Sequence, residues 1–441
     1  MGQALLTDLY ELNMAASYFR RGMRAPATFS LFVRELPERW GFFVACGLER
    51  CLAFLETLRF TDEDLTYMAE TLGYDEETLK AFGDVRFMGD VRAAPEGTPI
   101  FPDEPLLEVT APLPEAQVVE TYLLNQITFQ TAVASKAARC VLAAPGKDIV
   151  DFSFRRDHGA EAALAVARAT AIVGFSGTSN VEAARLLNLR ATGTMAHSYV
   201  EAFESEIDAF RAFAEDHPER VTLLVDTYDS SRGVDNAITV AKELASRGER
   251  LMAVRLDSGD LDSLARDARK RLDEAGLSEV KILASGGIDE DVIAAVADSP
   301  IDAFGVGSKV GVAAGAPYLD SVYKLVSYDG RPVAKLSARK ATLPGPKQVW
   351  RRSRMAGDVI ATLDEEGPQN AEPLLVSVME NGRRVRADDL DGARNRFRTS
   401  LEALPGTLRS VDAGSYPVER SGALEHLARQ VRAEIREREL S

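Results

Sequence analysis

The fold is decided by residues 251–308, LMAVRLDSGDLDSLARDARKRLDEAGLSEVKILASGGIDEDVIAAVADSPIDAFGVGS. The stretch contains three short apolar runs, Leu251–Leu256, Val280–Ala284 and Ile301–Val306, and an amphipathic helical segment, Asp260–Ala275. Buried strands that alternate with helices predict a parallel sheet joined by helical crossovers. Glycine-rich and charged residues follow each run, at the edge where (β/α) barrels place their active sites.

The same alternation extends towards the N-terminus. Helical periodicity predicts helices over Gly159–Ala171 and Val234–Arg247. Further apolar runs are predicted as strands, the last of them weaker than the others: Asp148–Phe152, Ala171–Phe175, Val221–Asp226 and Leu189–Thr192. The middle of the chain is therefore predicted to form a (β/α) barrel.

The two flanks have a different pattern, in which helices mix with strands bounded by Gly and Pro, such as Thr28–Arg34. We predict an α/β domain formed by both ends of the chain, with the barrel inserted between them. The predicted domains are residues 1–140, completed by 326–441, and a barrel over 141–325.

Composition narrows the class of protein. With 441 residues, of which 46% are hydrophobic and 27% charged, the chain is predicted to be globular with two or three domains. A formal net charge of −16 argues against a broad nucleic-acid or anionic-membrane surface. Any anionic ligand must therefore be met by a local cluster of basic residues and backbone amides.

The cysteines and the N-terminus point to the cytoplasm. Cys46, Cys51 and Cys140 form no CxxC pair, which indicates buried thiols in a reducing compartment and leaves a structural zinc site without ligands. No basic segment followed by an apolar one begins the chain, and no apolar run is long enough to span a membrane. We expect a soluble cytoplasmic protein.

Two glycine turns are candidate phosphate sites. Ser285-Gly286-Gly287 and Gly305-Val306-Gly307-Ser308 follow the last two predicted strands. Glycines there let backbone N–H groups approach an anion, although a tight turn without a ligand is the alternative. A dinucleotide-binding fingerprint is excluded because its spacing does not match and because it would belong to an opening βαβ unit.

Acidic residues gather at the same edge. Asp226 and Asp257 are candidates to surround ribose hydroxyls or a magnesium–pyrophosphate, and Asp260 is either a third acid or the cap of the following helix. Arg255 offers a planar fork that suits a carboxylate or a phosphate.

Basic residues follow two other strands. Arg155 and Arg156 are either a pyrophosphate-binding pair or solvated surface cations. His197, which follows a Gly-Thr turn, is either catalytic or structural, and the role of His158 stays open.

Five motifs occur in order along the chain: Leu5-Leu6-Thr7-Asp8-Leu9-Tyr10, Phe175-Ser176-Gly177-Thr178-Ser179-Asn180, Gly193-Thr194-Met195-Ala196-His197-Ser198, Arg255-Leu256-Asp257-Ser258-Gly259-Asp260 and Phe304-Gly305-Val306-Gly307. Together they resemble the nicotinate phosphoribosyltransferases, from the N-terminus to about residue 350. The resemblance implies the type II phosphoribosyltransferase fold, an incomplete, TIM-like (β/α) barrel with an α/β sandwich, and a head-to-tail homodimer with shared active sites.

The resemblance also implies roles for the pyridine-binding residues. Tyr10 of a neighbouring subunit and Phe152 would stack on the two faces of nicotinate. Arg255 and Thr194 match positions that bind it. Ser179 stands where nicotinamide phosphoribosyltransferases carry an aspartate, which would repel nicotinate's carboxylate, whereas a serine can donate a hydrogen bond to it.

Further roles concern the phosphates. Gly286, Gly307 and Ser308, beside Gly287, match positions that hold the 5-phosphate of 5-phosphoribosyl 1-pyrophosphate, and His197 matches a histidine phosphorylated by ATP. Many members have Arg-Arg-Ala-Gln-Gly where this chain has Arg155-Arg156-Asp157-His158-Gly159. The zinc-binding cysteines of some members are absent.

The implied reaction is the attack of the pyridine nitrogen on the anomeric carbon of the sugar while magnesium-bound pyrophosphate leaves. Asp226 and Asp257 can stabilise the oxocarbenium-like transition state, and ATP hydrolysis would drive the equilibrium. Three alternatives are nicotinamide phosphoribosyltransferase, the shorter quinolinate phosphoribosyltransferase and a catalytically silent homologue that senses pyridine nucleotides.

Overall fold

The computed structural model describes residues 3–337, 342–386 and 388–440. They form two compact units, Met1–Ser135 with Ala316–Ser441, and Lys136–Gly315. The sequence places these divisions a few residues further along, at 140/141 and 325/326. Within the described ranges no helix combines the length and the apolar character that a membrane crossing needs.

The elements follow one another along the chain in three groups. The first group is α1 (Leu9–Arg20), β1 (Pro26–Val33), β2 (Phe43–Val44), α2 (Leu48–Thr57), α3 (Asp62–Glu70), α4 (Glu76–Gly83), β3 (Asp90–Ala93), β4 (Pro99–Ile100), β5 (Pro105–Pro112), α5 (Leu113–Val118) and α6 (Glu120–Ala143). The second is β6 (Asp148–Asp151), α7 (Ala160–Ile172), β7 (Gly177–Thr178), α8 (Val181–Leu187), α9 (His197–Glu201), α10 (Glu206–Asp216), β8 (Thr222–Leu224), α11 (Ser230–Ser246), β9 (Ala253–Leu256), α12 (Leu261–Glu274), β10 (Lys281–Ser285), α13 (Glu290–Ala295), β11 (Ala303–Val306) and α14 (Ser308–Gly311). The third is β12 (Ser321–Tyr328), β13 (Arg331–Pro332), β14 (Lys347–Arg352), β15 (Asp358–Thr362), β16 (Ala371–Pro373), β17 (Val376–Glu380), β18 (Arg383–Arg384), α15 (Leu390–Ala403), β19 (Val418–Arg420) and α16 (Gly422–Leu440).

The first unit is built around a seven-stranded sheet in the order β13-β12-β1-β5-β3-β17-β18. Strand β1 lies inside the sheet, where it pairs antiparallel with β12 and β5, and only its first residue is exposed. Because β1 precedes the second unit and β12 follows it, both ends of the chain contribute to one sheet. A four-stranded sheet, β16-β14-β15-β19, and the pair β2-β4 complete the strands of this unit.

The second unit contains a parallel half-barrel sheet in the order β7-β6-β11-β10-β9-β8. Its strands are short and their interiors are buried, as in Leu283–Ser285 on β10 against Ala303–Gly305 on β11. The mixed α/β class and the parallel sheet predicted from the apolar runs are confirmed. All carboxyl ends of a parallel sheet lie at one edge, so the polar segments that follow the strands share that edge.

Two of the predicted strands differ in the structure. Ala171 and Ile172 belong to the end of α7, and the strand is Gly177–Thr178. The end of an alanine-rich helix followed by Val173 gives the same apolar run as a buried strand, so the sequence pattern does not distinguish the two. The weaker predicted strand, Leu189–Thr192, is not a strand in the structure, where a single parallel bridge joins Ala191 to Thr178.

Helix caps use some of the acidic residues at this edge. Asp229, Asp260 and Asp289 accept hydrogen bonds from the first turns of α11, α12 and α13. Of the two interpretations of Asp260, the structure therefore supports the helix cap. Asp226 and Asp257, which stand nearer to the strand ends, cap no helix and remain available for a site.

Candidate active site

The two glycine turns are tightly packed against neighbouring segments. A Cβ on Gly305 would lie 2.5 Å from Cδ2 of Phe152, and one on Gly286 would lie 1.8 Å from the carbonyl oxygen of Asp257. Gly286 and Gly287 also have φ of +87° and +66°, which L side chains rarely adopt. The glycines let Phe152 lie directly on β11 and leave exposed backbone at residues 286 and 287.

Arg255 lies at the centre of the site. Its side chain is only 11% exposed. The hydrogen bonds of its guanidinium are from Nε to Ser285 Oγ (2.7 Å), from Nη1 to Thr194 Oγ1 (3.0 Å) and to the Met195 carbonyl (3.2 Å), and from Nη2 to Asp257 Oδ1 (2.6 Å). The guanidinium carbon also lies 5.5 Å from the centroid of the Phe152 ring. A fixed planar cation beside a half-buried aromatic ring can orient a flat anionic ligand.

Asp257 is held as a carboxylate. Its Oδ1 also accepts a 2.5 Å hydrogen bond from the hydroxyl of Ser285. Burial raises the pKa of Asp257, but the bond from Ser285 and the charge of Arg255 outweigh it and leave the pKa below its ordinary value. The sequence did not single out the Ser285 side chain, although its place at the end of β10, directly before the glycines, was the available signal.

His197 begins α9 and points to the same cluster. Its Nδ1 lies 3.1 Å from Oγ1 of Thr227, and its Nε2 lies 3.8 Å from Oδ2 of Asp257. The segment of His197 follows the bridge at Ala191, beside β7, whereas Thr227 follows β8, so the contact joins segments from the two edges of the half-barrel. Thr227 was missed by the sequence reasoning, because nothing in the sequence pairs these edges.

Asp226 has one engaged and one free carboxylate oxygen. Oδ2 accepts from the backbone N–H of Asp257 (2.9 Å) and from the hydroxyl of Ser258 (2.8 Å). Oδ1 is buried and has no hydrogen-bond partner among the described residues. A buried carboxylate oxygen without a partner is costly unless a cation or a donor from a ligand meets it.

The basic pair lies on a short 3-10 helix, Phe154–Arg156, and both arginines are exposed. Nη1 of Arg156 lies 3.4 Å from Oγ of Ser308, which brings it to the second glycine turn, at Gly307. Ser179 is half-buried after β7, and its backbone N–H donates to the carbonyl of Asp151 (2.8 Å).

Tyr10 belongs to α1 of the first unit, where 47% of it is exposed. Burial and the negative charge of Glu120 raise its pKa, so the phenol is neutral at ordinary pH. The residues around it on the same stretch are also exposed and apolar: Leu6 (55%), Leu9 (51%) and Met14 (36%).

An acidic pair near the basic helix was missed. Buried Asp151 accepts hydrogen bonds from the backbone and hydroxyl of Ser153 and from Thr178. The Ser153 hydroxyl also lies 3.0 Å from Asp157 Oδ2, and a Cβ on Gly311 would lie 2.0 Å from Asp157 Oδ1. Asp157, one of the departures from the family pattern, therefore packs against α14.

The site so built contains glycine turns, a clamped arginine, an aromatic ring and carboxylates at the carboxyl edge of a parallel sheet. Such features, at this edge of a parallel sheet, are those with which α/β enzymes bind anionic substrates. Among the described residues, no group of three or more His, Cys, Asp or Glu side chains is arranged to hold a metal ion.

Comparison with known proteins identifies the family. Residues 5–128 match the nicotinate phosphoribosyltransferase (NAPRTase) N-terminal domain and residues 148–348 match the nicotinate phosphoribosyltransferase (NAPRTase) family. A nicotinate phosphoribosyltransferase of Mycobacterium tuberculosis is 50% identical over 424 residues, which cover 94% of this chain and 91% of the relative. One of Bacillus subtilis is 43% identical over 378 residues, 82% of this chain and 77% of the relative.

The crystal structure of human nicotinic acid phosphoribosyltransferase superposes with a TM-score of 0.86 at 29% identity, over 96% of this chain and 99% of that one. The chain belongs to the nicotinate phosphoribosyltransferase family, whose members are enzymes.

The half-buried carboxyl group of Asp157 leads to a pH-dependent prediction. Burial raises the pKa of Asp157 to about 6, although the hydrogen bond from Ser153 acts to lower it. Because the pKa is higher in the folded state, the carboxyl group contributes stability that is fully present below the pKa of the unfolded chain. This contribution is lost as the pH rises through the folded-state pKa of about 6. Asp157→Asn should therefore gain stability relative to the wild type between pH 4 and 7, by about 1 kcal/mol after allowance for solvent screening.

Denaturant unfolding at several pH values measures this difference, with Asp148→Asn, an exposed carboxylate on β6, as the baseline variant. A stability difference between Asp157→Asn and the wild type that does not change with pH would refute the assignment.

Proposed function

We propose that the protein forms nicotinate mononucleotide and pyrophosphate from nicotinate and 5-phosphoribosyl 1-pyrophosphate, in the salvage (Preiss-Handler) branch of NAD biosynthesis. The observation that carries the proposal is the fixed Arg255 guanidinium beside the Phe152 ring, at the edge that also holds both glycine turns. The family to which the chain belongs supports the same substrates. The fold is then the incomplete (β/α) barrel and α/β sandwich of that family.

The pyridine ring would lie on Phe152 with its carboxylate directed to Arg255, Thr194 and Ser179. Stacking and a charged hydrogen bond fix the ring so that its nitrogen faces the sugar, which supplies proximity. The nitrogen is already a nucleophile, so no general base is required. Ser179 favours nicotinate over nicotinamide because the hydroxyl can donate to a carboxylate.

The phosphoribosyl group would be held at both ends. Backbone amides of Gly286, Gly287 and Gly307 with the Ser308 hydroxyl would bind the 5-phosphate, and Arg155 with Arg156 would bind the pyrophosphate. The carboxylates of Asp226 and Asp257 would face the positive charge that develops on the sugar.

Magnesium fits the residues that are present. The partnerless Oδ1 of Asp226 suits a hard cation, whereas Oδ1 of Asp257 already accepts hydrogen bonds from Arg255 and Ser285. Because the protein side chains offer no complete ligand set within the described residues, the pyrophosphate oxygens would supply most of the ligands. The ion would offset the charge of the leaving group when bound.

ATP would act as a co-substrate through His197. Its imidazole lies beside Asp257 and Thr227, which can orient the ring. A nucleophilic imidazole can take the γ-phosphoryl group of ATP and release it to water, which would couple hydrolysis to synthesis.

We further propose a homodimer with shared active sites. The exposed apolar residues of the first unit, Leu6, Leu9, Tyr10 and Met14, form a surface that suits a second copy. The second unit exposes apolar side chains on the 3-10 helix that follows Phe152 and on α8, which follows Ser179: Phe154 (44%), Val181 (72%) and Leu186 (54%). The cytoplasmic location stays a prediction.

A pyrophosphate-release assay with nicotinate or nicotinamide tests the function and the role of Ser179. The wild type should prefer nicotinate. Ser179→Asp should reduce this preference roughly tenfold to a hundredfold, because it exchanges a charge-assisted bond worth roughly 1.5–3 kcal/mol for a repulsion. Ser179→Ala separates the lost bond from the added charge. No nicotinate-dependent release by the wild type would exclude the proposed reaction and leave the silent pyridine-nucleotide sensor or the nicotinamide enzyme.

His197→Ala should abolish acid-labile phosphorylation by γ-labelled ATP and the stimulation by ATP. It should retain a slow, ATP-independent synthesis, because Arg255, Phe152 and the glycine turns remain. His158→Ala is the matched control and should keep the coupling. Wild-type labelling of the His197 variant would transfer the role to His158.

A mixing experiment tests the shared site. Tyr10→Ala and Arg255→Ala should each be inactive, and exchange of subunits should restore activity in up to about half of the mixed sites, because one site per heterodimer is intact. Tyr67→Ala, another exposed tyrosine of the first unit (48%), should stay active by itself. If exchange is demonstrated and no activity returns, Tyr10 does not serve a partner's site.

A further inference from the structure

An ion pair joins the segments that follow the two glycine turns. Asp289 comes two residues after Gly287, and Lys309 comes directly after Ser308. Nζ of Lys309 lies 2.7 Å from Oδ2 of Asp289, whose side chain is 10% exposed, while that of Lys309 is 42% exposed. The pair therefore consists of a nearly buried acid and a lysine that reaches it from the solvent side.

Asp289 is fixed where it stands. Its Oδ1 accepts a 3.1 Å hydrogen bond from the backbone N–H of Val292, in the first turn of α13. The next residue, Glu290, is buried between Lys136 (2.6 Å) and Arg139 (2.9 Å), both on α6. The helix cap and the ion pairs of the adjacent residue thus hold Asp289 at the start of α13.

The charge of Asp289 depends on its partner. Burial raises the pKa of Asp289, but the hydrogen bonds from Lys309 and from Val292 outweigh burial and leave the pKa below its ordinary value. Without Lys309, only the charge of Lys136 would offset this nearly buried negative charge. The charge would then stand two residues from the turn proposed to bind phosphate, where it would repel the phosphate.

We propose that Lys309 is a positioning residue for phosphate binding. It neutralises Asp289 and ties the Gly305–Ser308 turn to the Gly286-Gly287 turn, so that both sets of backbone amides face one phosphate. This inference rests on the proposed function, which places the 5-phosphate of the sugar substrate at these turns.

The sharpest test is a charge-balanced pair of variants. Lys309→Met should raise KM for 5-phosphoribosyl 1-pyrophosphate by roughly tenfold or more and change kcat by less than about twofold, because only the binding of the phosphate is altered. Adding Asp289→Asn should restore much of the KM, since it removes the negative charge that Lys309 no longer neutralises. Lys309→Arg should keep a KM near that of the wild type, and Lys242→Met, an exposed lysine on α11, is the control.

A merely structural ion pair gives a different result. Loss of either partner would then lower the thermal stability, and the double variant would not recover KM. An unchanged KM in Lys309→Met, or a double variant that is no better than Lys309→Met, overturns the proposal. If Lys309→Met fails to fold, the double variant is compared with Asp289→Asn instead, because neither variant has an unpaired buried carboxylate. A KM that is severalfold higher in the double variant than in Asp289→Asn overturns the neutralising role of Lys309.

The proposed function can fail separately, and the wild-type assay with nicotinate shows this. In that case inorganic phosphate is the probe, and calorimetry compares its binding to the wild type, Lys309→Met and the double variant. The expected result is weakened binding in Lys309→Met that the double variant recovers. Equal binding to all three proteins contradicts the role of Lys309.

Discussion

The hydrogen bonds of Arg255 are the interaction on which the candidate site depends. A guanidinium that is 11% exposed must have partners, because a desolvated cation without them is strongly disfavoured. The partners come from the end of β9 itself, from the end of β10 and from the segment that follows the bridge at Ala191, while the ring beneath it follows β6. One side chain therefore contacts four segments of the second unit.

Backbone packing makes this arrangement possible. The register of β10 against β11 and of β11 against β6 brings Phe152 over Gly305, where any side chain would collide with the ring. In the same way Gly286 lets the β10 turn approach the Asp257 carbonyl. The glycines thus serve two purposes: they allow neighbouring strand ends to touch, and they expose the amides that can face an anion.

Much of this architecture could be predicted from the sequence, because apolar runs and helical periodicity report burial directly. The parallel sheet and the gathering of polar residues at one edge followed from these patterns. The strand predicted at Ala171–Phe175 was wrong, because a buried helix end and a buried strand have the same apolar composition. The sequence did not predict which side chains form hydrogen bonds or ion pairs with one another. Ser285, Thr227 and Lys309 make such contacts between segments that are distant in the chain, and no local pattern records them.

The distribution of charge around the site bears on the proposed role of magnesium. In a chain with a formal net charge of −16, Arg255 is paired with Asp257, and Lys309 with Asp289. These pairs hold the cations in place but cancel most of their charge, so they contribute directed hydrogen bonds rather than net attraction. Arg155 and Arg156 are exposed, and within the described ranges neither is ion-paired, so they supply the net positive charge. In the proposed reaction, two exposed arginines would not balance a phosphate and a pyrophosphate together. This supports the proposal that a divalent cation enters with the substrate and meets the free oxygen of Asp226.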